Sequence, residues 1–288
     1  MGAPMAINLV NAGYDVNVYN RTAAKAQPVI DVGGKYFSTP AAASQNASII
    51  TTIVTDGPDV EEVLFGENGA LKTAPKNALV LVMSTISPQL NREMAERAAE
   101  QSIRMIDAPV SGGDIGAQNG TLSIMAGGTD DDIAEAMPIL EVLGKTITHC
   151  GLIGAGQVVK LCNQICGALN LLGVCEAMAL GAKNQIDPEI LIRVISGGAG
   201  SSWAMQNLAP KIASEDWSPG FMVETQQKDM RLVAEMASQT HTALPGAALT
   251  SQLWQAAEAK DYGKEGIQAL AKVLFEMANL QSVITDSP

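Results

Sequence analysis

The sequence has few aromatic residues, few histidines and a deficit of basic side chains. Only 4% of its 288 residues are aromatic and two are His, while 18 Lys and Arg stand against 30 Asp and Glu, which gives a net charge of −12. Because a nucleic-acid backbone is bound by a basic face, this balance argues against nucleic acid as a partner. A site for a phosphorylated cofactor remains open, since such a site is local.

Cysteine is also scarce, and long apolar runs are absent. The four cysteines lie in one short region with no metal-ligand pattern around them; they are Cys150, Cys162, Cys166 and Cys175. Cys162 and Cys166 are four residues apart in a predicted helix, so we expect them to pack as small apolar residues rather than to pair. The sequence contains no unbroken run of 18 apolar residues and no signal-peptide pattern. We therefore predict a cytoplasmic protein with no metal site and no membrane partner.

What the chain has instead is 47% hydrophobic residues, enough for two domains with their own cores. Up to residue 152, short apolar strands alternate with helical segments, which predicts an α/β domain with a mainly parallel sheet. The strand candidates are residues 15–20, 48–54, 78–84, 104–110, 122–128 and 146–151.

From residue 153 to residue 288 the pattern predicts an all-helical domain. It begins with a long apolar helix over residues 157–184, and a helix that is apolar on most faces is buried between domains or subunits. A further helix should start at Asp187 and Pro188. The last residues, SVITDSP, are predicted to form a loose tail.

The first 22 residues, MGAPMAINLVNAGYDVNVYNRT, match the second half of a dinucleotide-binding βαβ unit. Gly2 would be the last glycine of a G-x-G-x-x-G turn, which lets helix and strand pack closely. The first strand and the earlier glycines would lie upstream of Met1, so we interpret the domain as truncated. Loss of that central strand would split the sheet. The alternative is an ordinary amphipathic helix before a strand.

The residues after the first strand candidate, Asn20, Arg21 and Thr22, bear on the choice of cofactor. NAD-binding domains place an acidic residue here, which bonds the ribose hydroxyls and would repel a 2′-phosphate. Arg21 offers a fork of donors to a phosphate, and Thr22 adds a hydroxyl. The pattern favours NADP(H) over NAD(H); the alternative is a solvated surface arginine.

Four motifs follow in order: STISP at 84–88, DAPVSGG at 107–113, GAGQVVKLCNQ at 154–164, and PGF at 219–221 followed by Lys228 and Asp229. On these motifs the whole chain resembles the β-hydroxyacid dehydrogenase family, which includes 3-hydroxyisobutyrate dehydrogenase, tartronate semialdehyde reductase and glyoxylate/succinic semialdehyde reductases. The resemblance implies an NADP-binding Rossmann-type domain, an all-α substrate and oligomerisation domain, and hydride exchange with a small hydroxyacid or its semialdehyde.

Such hydride transfer leaves an alkoxide, which needs a proton donor. His149 and His241 lie outside the motifs, so Lys160 is the better acid, and desolvation at the start of an apolar helix would lower its pKa. The alternative is a surface lysine. Ser111, Gly112 and Gly113 would form an anion nest for the substrate carboxylate, with an ordinary flexible turn as the alternative.

Asn163 shares a helix face with Lys160 and resembles the family residue that orients the substrate, with Gln164 as the alternative. The resemblance also implies cofactor contacts at Gly2, Asn20, Arg21, Thr22, Val54, Thr55, Thr85, Phe221, Lys228 and Asp229. Without the resemblance, Thr85 could instead cap a helix, and Lys228 and Asp229 could be a solvated surface pair.

The sequence therefore predicts an NADP(H)-dependent oxidoreductase acting on tartronate semialdehyde or a 3-hydroxyisobutyrate-like substrate, with NAD(H) as the alternative cofactor. Two alternatives remain: a glyoxylate or succinic semialdehyde reductase, and a non-catalytic scaffold. The truncated fingerprint motivates the scaffold, whereas the joint presence of Lys160, Ser111 and Asn163 argues against it. The long apolar helix further predicts a homodimer or homotetramer.

Overall fold

The computed structural model describes residues 1–280 and divides into two compact units, Met1–Lys160 (unit one) and Leu161–Pro288 (unit two). The predicted tail, residues 282–288, lies outside the described residues. The division falls within one helix, so the boundary predicted between residues 152 and 153 stays a prediction.

Unit one contains eight strands among its described residues. They are β1 (Asn17–Val18), β2 (Lys35–Tyr36), β3 (Ile49–Thr52), β4 (Leu79–Val82), β5 (Arg104–Asp107), β6 (Val110–Ser111), β7 (Leu122–Gly127) and β8 (Gly144–Gly151). Its helices are α1 (Gly2–Asn11), α2 (Gln27–Ile30), α3 (Pro40–Ser44), α4 (Gly57–Phe65), α5 (Pro88–Ala99), α6 (Gly113–Asn119) and α7 (Asp130–Leu143). Short 3₁₀ turns lie at Ala23–Ala26 and Ala70–Lys72.

The strands form two sheets. β1 and β2 make a parallel pair, and the other strands make a six-stranded sheet in the order β3-β4-β5-β7-β6, with β8 beside β7. β3, β4 and β5 are parallel, as predicted, whereas β7 is antiparallel to β5 and β6. Within residues 1–280 no strand joins β1 to β3, so the two sheets are separate.

Strand β4 separates two apolar cores because its alternate side chains point to opposite faces. Leu79 and Leu81 pack in one core with residues of β7 and α7. Val80 and Val82 pack in the other with residues of α4 and α5. The sheet is therefore covered by helices on both faces.

Three sequence predictions need correction. The strand expected over 104–110 is two strands, β5 and β6, interrupted around Pro109, which has no N–H to donate to a ladder. The pair β1–β2 includes Lys35–Tyr36, which alternation did not indicate. The four cysteines are free, so Cys162 and Cys166 do not pair, as expected. Both are exposed, however, so the expectation that they pack as small apolar residues is wrong.

Helix α8 (Ala155–Lys183) starts in unit one and continues into unit two. The remaining helices are α9 (Pro188–Ser196), α10 (Trp203–Asn207), α11 (Ala209–Ala213), α12 (Val223–Gln239), α13 (Pro245–Ala259) and α14 (Leu270–Met277), with 3₁₀ turns at Tyr262–Lys264 and Ile267–Ala269. As predicted, Asp187 caps α9 by accepting the N–H of Glu189 at 2.8 Å. By length and composition α8 could cross a membrane, but this is weak evidence because the core helix of a soluble protein passes the same test.

Candidate active site

A hydrogen bond joins the chain just beyond the carboxyl ends of β3 and β4. The two strands pair in register from Ile49 with Leu79 to Thr52 with Val82. Just beyond them, the Val54 N–H donates to Ser84 Oγ at 2.7 Å. This bond places Val54 and Thr55 beside Ser84 and Thr85, at the edge where parallel α/β sheets bind their ligands.

Gly2 occupies the position that the fingerprint assigns to the packing glycine. A Cβ built on Gly2 would lie 2.9 Å from Cγ2 of Ile53, the residue before Val54. A side chain at this position would have to displace the Ile53 side chain. The close approach of helix and strand that we expected from the sequence is therefore present, although a contact from Gly2 to a cofactor stays a prediction.

Asn20, Arg21 and Thr22 follow β1 in an extended turn. Asn20 Nδ2 donates to the carbonyl of Thr22 at 2.8 Å. The Arg21 side chain is 87% exposed, and its Nη1 lies 3.6 Å from Oδ1 of Asp59 in the first turn of α4. Such an exposed pair holds the side chain only weakly, so the guanidinium can turn to another anion.

Ser111, Gly112 and Gly113 form the turn from β6 into α6. Ser111 ends β6 and pairs with Ser123 of β7. Gly112 and Gly113 have φ values of +132° and +61°, a region in which a side chain is strained. The two glycines bend the chain sharply, which is the backbone form that gathers N–H groups into an anion nest.

The start of α8 is fixed by two buried polar side chains that sequence reasoning missed. Asp107, at the end of β5, accepts the backbone N–H of Gly154 at 2.6 Å and of Gln157 at 2.7 Å. Burial raises the pKa of Asp107 to about 6, while backbone N–H donors act in the opposite direction. The available signal was an aspartate at the end of a buried strand, opening the DAPVSGG motif.

Gln157 joins the same helix turn to the residues after β4. Its Nε2 donates to the Ser84 carbonyl at 2.8 Å, and its Oε1 accepts the Ile86 N–H at 3.1 Å. Gln157 is fully buried. The STISP, DAPVSGG and GAGQ motifs therefore meet through hydrogen bonds within unit one.

Lys160 lies one helical turn after Gln157. It is only 6% exposed, so the alternative of a surface lysine is wrong. The structure therefore buries this side chain at the helix turn that follows Gln157.

In unit two, Asn163 and Gln164 have different surroundings. Asn163 is exposed, and its Nδ2 donates to Gln164 Oε1 at 3.0 Å. Gln164 is buried and donates from Nε2 to Asp229 Oδ2 at 2.6 Å. The helix geometry therefore commits the Gln164 amide to Asp229 and leaves Asn163 as the better candidate to meet a substrate.

Lys228 and Asp229, in α12 of unit two, are buried charged residues. Lys228 Nζ lies 2.8 Å from Asp229 Oδ1, an ion pair by distance whose geometry is not that of a hydrogen bond. The residues are 6% and 1% exposed, so the alternative of a solvated pair is wrong. Their contact with a cofactor stays a prediction.

Thr85 and Phe221 are two further residues that the sequence predicts to contact the cofactor. Thr85 does not cap α5, because Ser87 is the residue that accepts the Leu90 N–H there, so the capping alternative is wrong. Phe221 is half-buried before α12, and its carbonyl accepts the Ile267 N–H at 2.9 Å.

Comparison with known proteins covers both units. The NAD-binding domain of 6-phosphogluconate dehydrogenase matches residues 1–151, and the NAD-binding domain of NADP-dependent 3-hydroxyisobutyrate dehydrogenase matches residues 154–274. The chain is 37% identical over 279 residues to 2-hydroxy-3-oxopropionate reductase of Escherichia coli, which covers 97% of this chain and 95% of that one. It is 35% identical over 274 residues to 3-hydroxyisobutyrate dehydrogenase of Pseudomonas aeruginosa, covering 93% and 92%. The solved structure of Mycobacterium tuberculosis 3-hydroxyisobutyrate dehydrogenase with L-serine is 31% identical, with 95% of each chain covered and a TM-score of 0.86.

Proposed function

The chain belongs to the β-hydroxyacid dehydrogenase family of nicotinamide-dependent oxidoreductases, and on that premise we propose that it uses NADP(H) to interconvert a small β-hydroxyacid and its semialdehyde. Tartronate semialdehyde and 3-hydroxyisobutyrate are the substrates we favour, since relatives named for them match nearly the whole chain. The observation that carries the proposal is the buried Lys160, held one turn beyond the glycine-rich start of α8.

The residues at the carboxyl ends of β1, β3 and β4 fit a nicotinamide dinucleotide. The tight approach of Gly2 to Ile53 is the helix–strand packing of that site, and Val54, Thr55 and Thr85 line the adjoining strand ends. Arg21 and Thr22 would hold the 2′-phosphate of NADP(H), because the turn offers an exposed guanidinium and no carboxylate of its own. A bound nicotinamide supplies or accepts the hydride.

The protein's own groups manage the substrate and its proton. Lys160 would donate the proton to the carbonyl oxygen during reduction and take it back during oxidation. The N–H groups and hydroxyl of Ser111, Gly112 and Gly113 would hold the carboxylate, and Asn163 would orient the substrate. A cytoplasmic homodimer or homotetramer is part of the proposal, supported by exposed apolar side chains in unit two such as Leu180, Val194 and Leu249.

The test compares the 288-residue chain with a version extended at its N-terminus by an apolar strand and a G-x-G turn. Each is titrated with NADPH and NADH, then assayed with tartronate, methylmalonate and succinic semialdehydes and with glyoxylate. We expect Lys160→Met to lower kcat by about 10²- to 10⁴-fold, the usual range for removing a general acid. The matched control is Lys145→Met, at an exposed lysine of β8.

Cofactor choice is tested separately with Arg21→Ala, which should weaken binding of NADPH and leave binding of NADH unchanged. If both chain versions stay folded, bind neither nucleotide and reduce nothing, the scaffold alternative replaces the enzyme. Turnover that survives Lys160→Met unchanged would remove Lys160 from the mechanism.

A further inference from the structure

The buried contacts at the start of α8 are more elaborate than a helix start requires. A helix N-terminus exposed to water can satisfy its free N–H groups with solvent or with a small side chain such as Ser or Asp from its own turn. Here the acceptor, Asp107, comes from a strand 47 residues earlier in the chain and is completely buried.

Two glycines show how closely the helix start is seated. A Cβ on Gly156 would lie 2.1 Å from the Met125 carbonyl oxygen and 2.8 Å from Asp107 Oδ2. A Cβ on Gly127 would lie 2.5 Å from Asp107 Oδ1 and 2.9 Å from the Gly156 nitrogen. The first turn of α8 therefore packs against the backbone of β7, and the Asp107 carboxylate lies close to both.

Burying the Asp107 carboxylate at the helix start costs folding free energy, so stability alone does not explain this arrangement. A carboxylate taken out of water without a cation loses much of its solvation, and the raised pKa of Asp107 reflects that loss. Gln157 adds a second constraint, because it joins the same helix turn to both the Ser84 carbonyl and the Ile86 N–H. Costly polar groups of this kind are expected where a neighbouring side chain must be placed accurately.

We propose that Asp107 and Gln157 are positioning residues for Lys160, fixing the first turn of α8 to the carboxyl ends of β5 and β4 so that the lysine one turn later meets the reacting oxygen. Neither residue touches the substrate in this proposal; both act through the backbone of residues 154–157. The proposal rests on the proposed role of Lys160 as the proton donor.

The experiment uses Asp107→Asn, which keeps the size of the side chain but turns a donor towards one backbone N–H. Its matched control is Asp132→Asn, the same change at another buried aspartate of unit one. Asp132 lies in the first turn of α7, and its Oδ1 accepts a hydrogen bond from Arg104 Nη1 at 2.9 Å. Gln157→Met is the second variant, in case Asp107→Asn does not fold. Each is made with Lys160 present and with Lys160→Met, in whichever chain version turns over.

We expect Asp107→Asn and Gln157→Met to lower kcat by roughly 10- to 100-fold, the loss that a misplacement of about 1 Å produces, with the NADPH dissociation constant nearly unchanged. In the Lys160→Met background, followed in single turnovers at high enzyme concentration, they should add less than about 2-fold, because residues that act as one unit are not additive. Amide hydrogen exchange of residues 154–160 in the 288-residue chain should accelerate in both variants and not in Asp132→Asn.

Three results would overturn the proposal: a kcat for both variants equal to that of Asp132→Asn, an equal loss with and without Lys160, or unchanged amide exchange at 154–160. Failure of the proposed function looks different. In that case the unmodified chain itself shows no turnover, while the exchange measurement still decides whether Asp107 and Gln157 fix the helix start.

Discussion

Asp107 in unit one and Asp229 in unit two are both buried carboxylates, but different partners hold them. Asp107 is held by backbone N–H groups at the start of α8, and its pKa is raised to about 6. Asp229 has the Lys228 ammonium 2.8 Å away and the Gln164 amide at 2.6 Å. Backbone donors thus replace only part of the lost solvation of Asp107, whereas the Asp229 carboxylate has an ammonium beside it. The two sites should therefore fail in different ways.

The largest effect is expected when the counter-charge of Asp229 is removed. Lys228→Met leaves a buried carboxylate without its cation, which costs about 3 to 5 kcal/mol in the free energy of unfolding. The measurement is urea unfolding followed by tryptophan fluorescence, since Trp203, Trp217 and Trp254 all lie in unit two.

Two controls sharpen this result. Lys264→Ala removes an ammonium 2.7 Å from Glu224 on the surface, where the lysine side chain is 80% exposed, and should change the stability by less than about 1 kcal/mol. The double variant Lys228→Met with Asp229→Asn removes both charges and keeps an acceptor for Gln164, so it should recover most of the loss. A Lys228→Met protein as stable as Lys264→Ala would show that Asp229 does not depend on its cation.

The contribution of Asp107 to the free energy of unfolding should depend on pH. Burial raises its pKa to about 6 from the ordinary value of 3.8, so between these pH values the folded state binds the proton more tightly than the unfolded state. Its contribution to stability is therefore greatest below about pH 4 and falls as the pH rises towards 6, by about 3 kcal/mol in total for a shift of roughly two units.

The difference between the wild type and Asp107→Asn isolates that contribution from all other carboxylates. The variant has no proton to lose at this position, so its deficit relative to the wild type should be larger at pH 4.5 than at pH 7.5, by about 2 kcal/mol. Urea unfolding followed by circular dichroism at both pH values gives the deficit, with Asp132→Asn as the control. If the stability deficit of Asp107→Asn were instead larger at pH 7.5 than at pH 4.5, the predicted direction of the pH dependence would be wrong.

The same comparison shows what the sequence could and could not predict. Strands β4 and β5 were predictable because their apolar runs are buried almost throughout. Lys160, Ser111 and Asn163 were singled out from their motifs, and their roles stay predictions. Asp107 and Gln157 were not singled out, although both lie in quoted motifs. Their importance comes from the joining of residues 84–86, 107 and 154–157, and sequence spacing does not reveal such contacts.

Burial was the other quantity that the sequence left open. A Lys-Asp pair on a helix is usually solvated, and only the packing of α8 against α12 through Gln164 and Asp229 shows that Lys228 and Asp229 are not. In the same way Cys162 and Cys166 have apolar neighbours in sequence yet lie on the exposed side of α8. Helical periodicity identified the helix but not which of its faces is covered.

A further comparison is between two glycines of α8, one in each unit. Gly156→Ala brings a Cβ within 2.1 Å of the Met125 carbonyl oxygen, so the helix start must shift, at a cost of about 1 to 3 kcal/mol. Gly173→Ala meets no atom within 4 Å on an exposed face, and should stabilise the helix by about 1 kcal/mol, the difference in helix propensity. Urea unfolding of both variants gives the two values.

Whether Gly173→Ala raises or lowers the stability also indicates whether a second chain covers this face of α8. A single chain leaves open space at this position, so a methyl group there should only favour the helix. If a second copy of the chain packs closely on that face, the added methyl group must instead weaken the dimer, and stability should fall in a way that depends on protein concentration. Light scattering at the same concentrations separates the two cases, because only the second predicts a loss of mass with Gly173→Ala and none with Gly156→Ala.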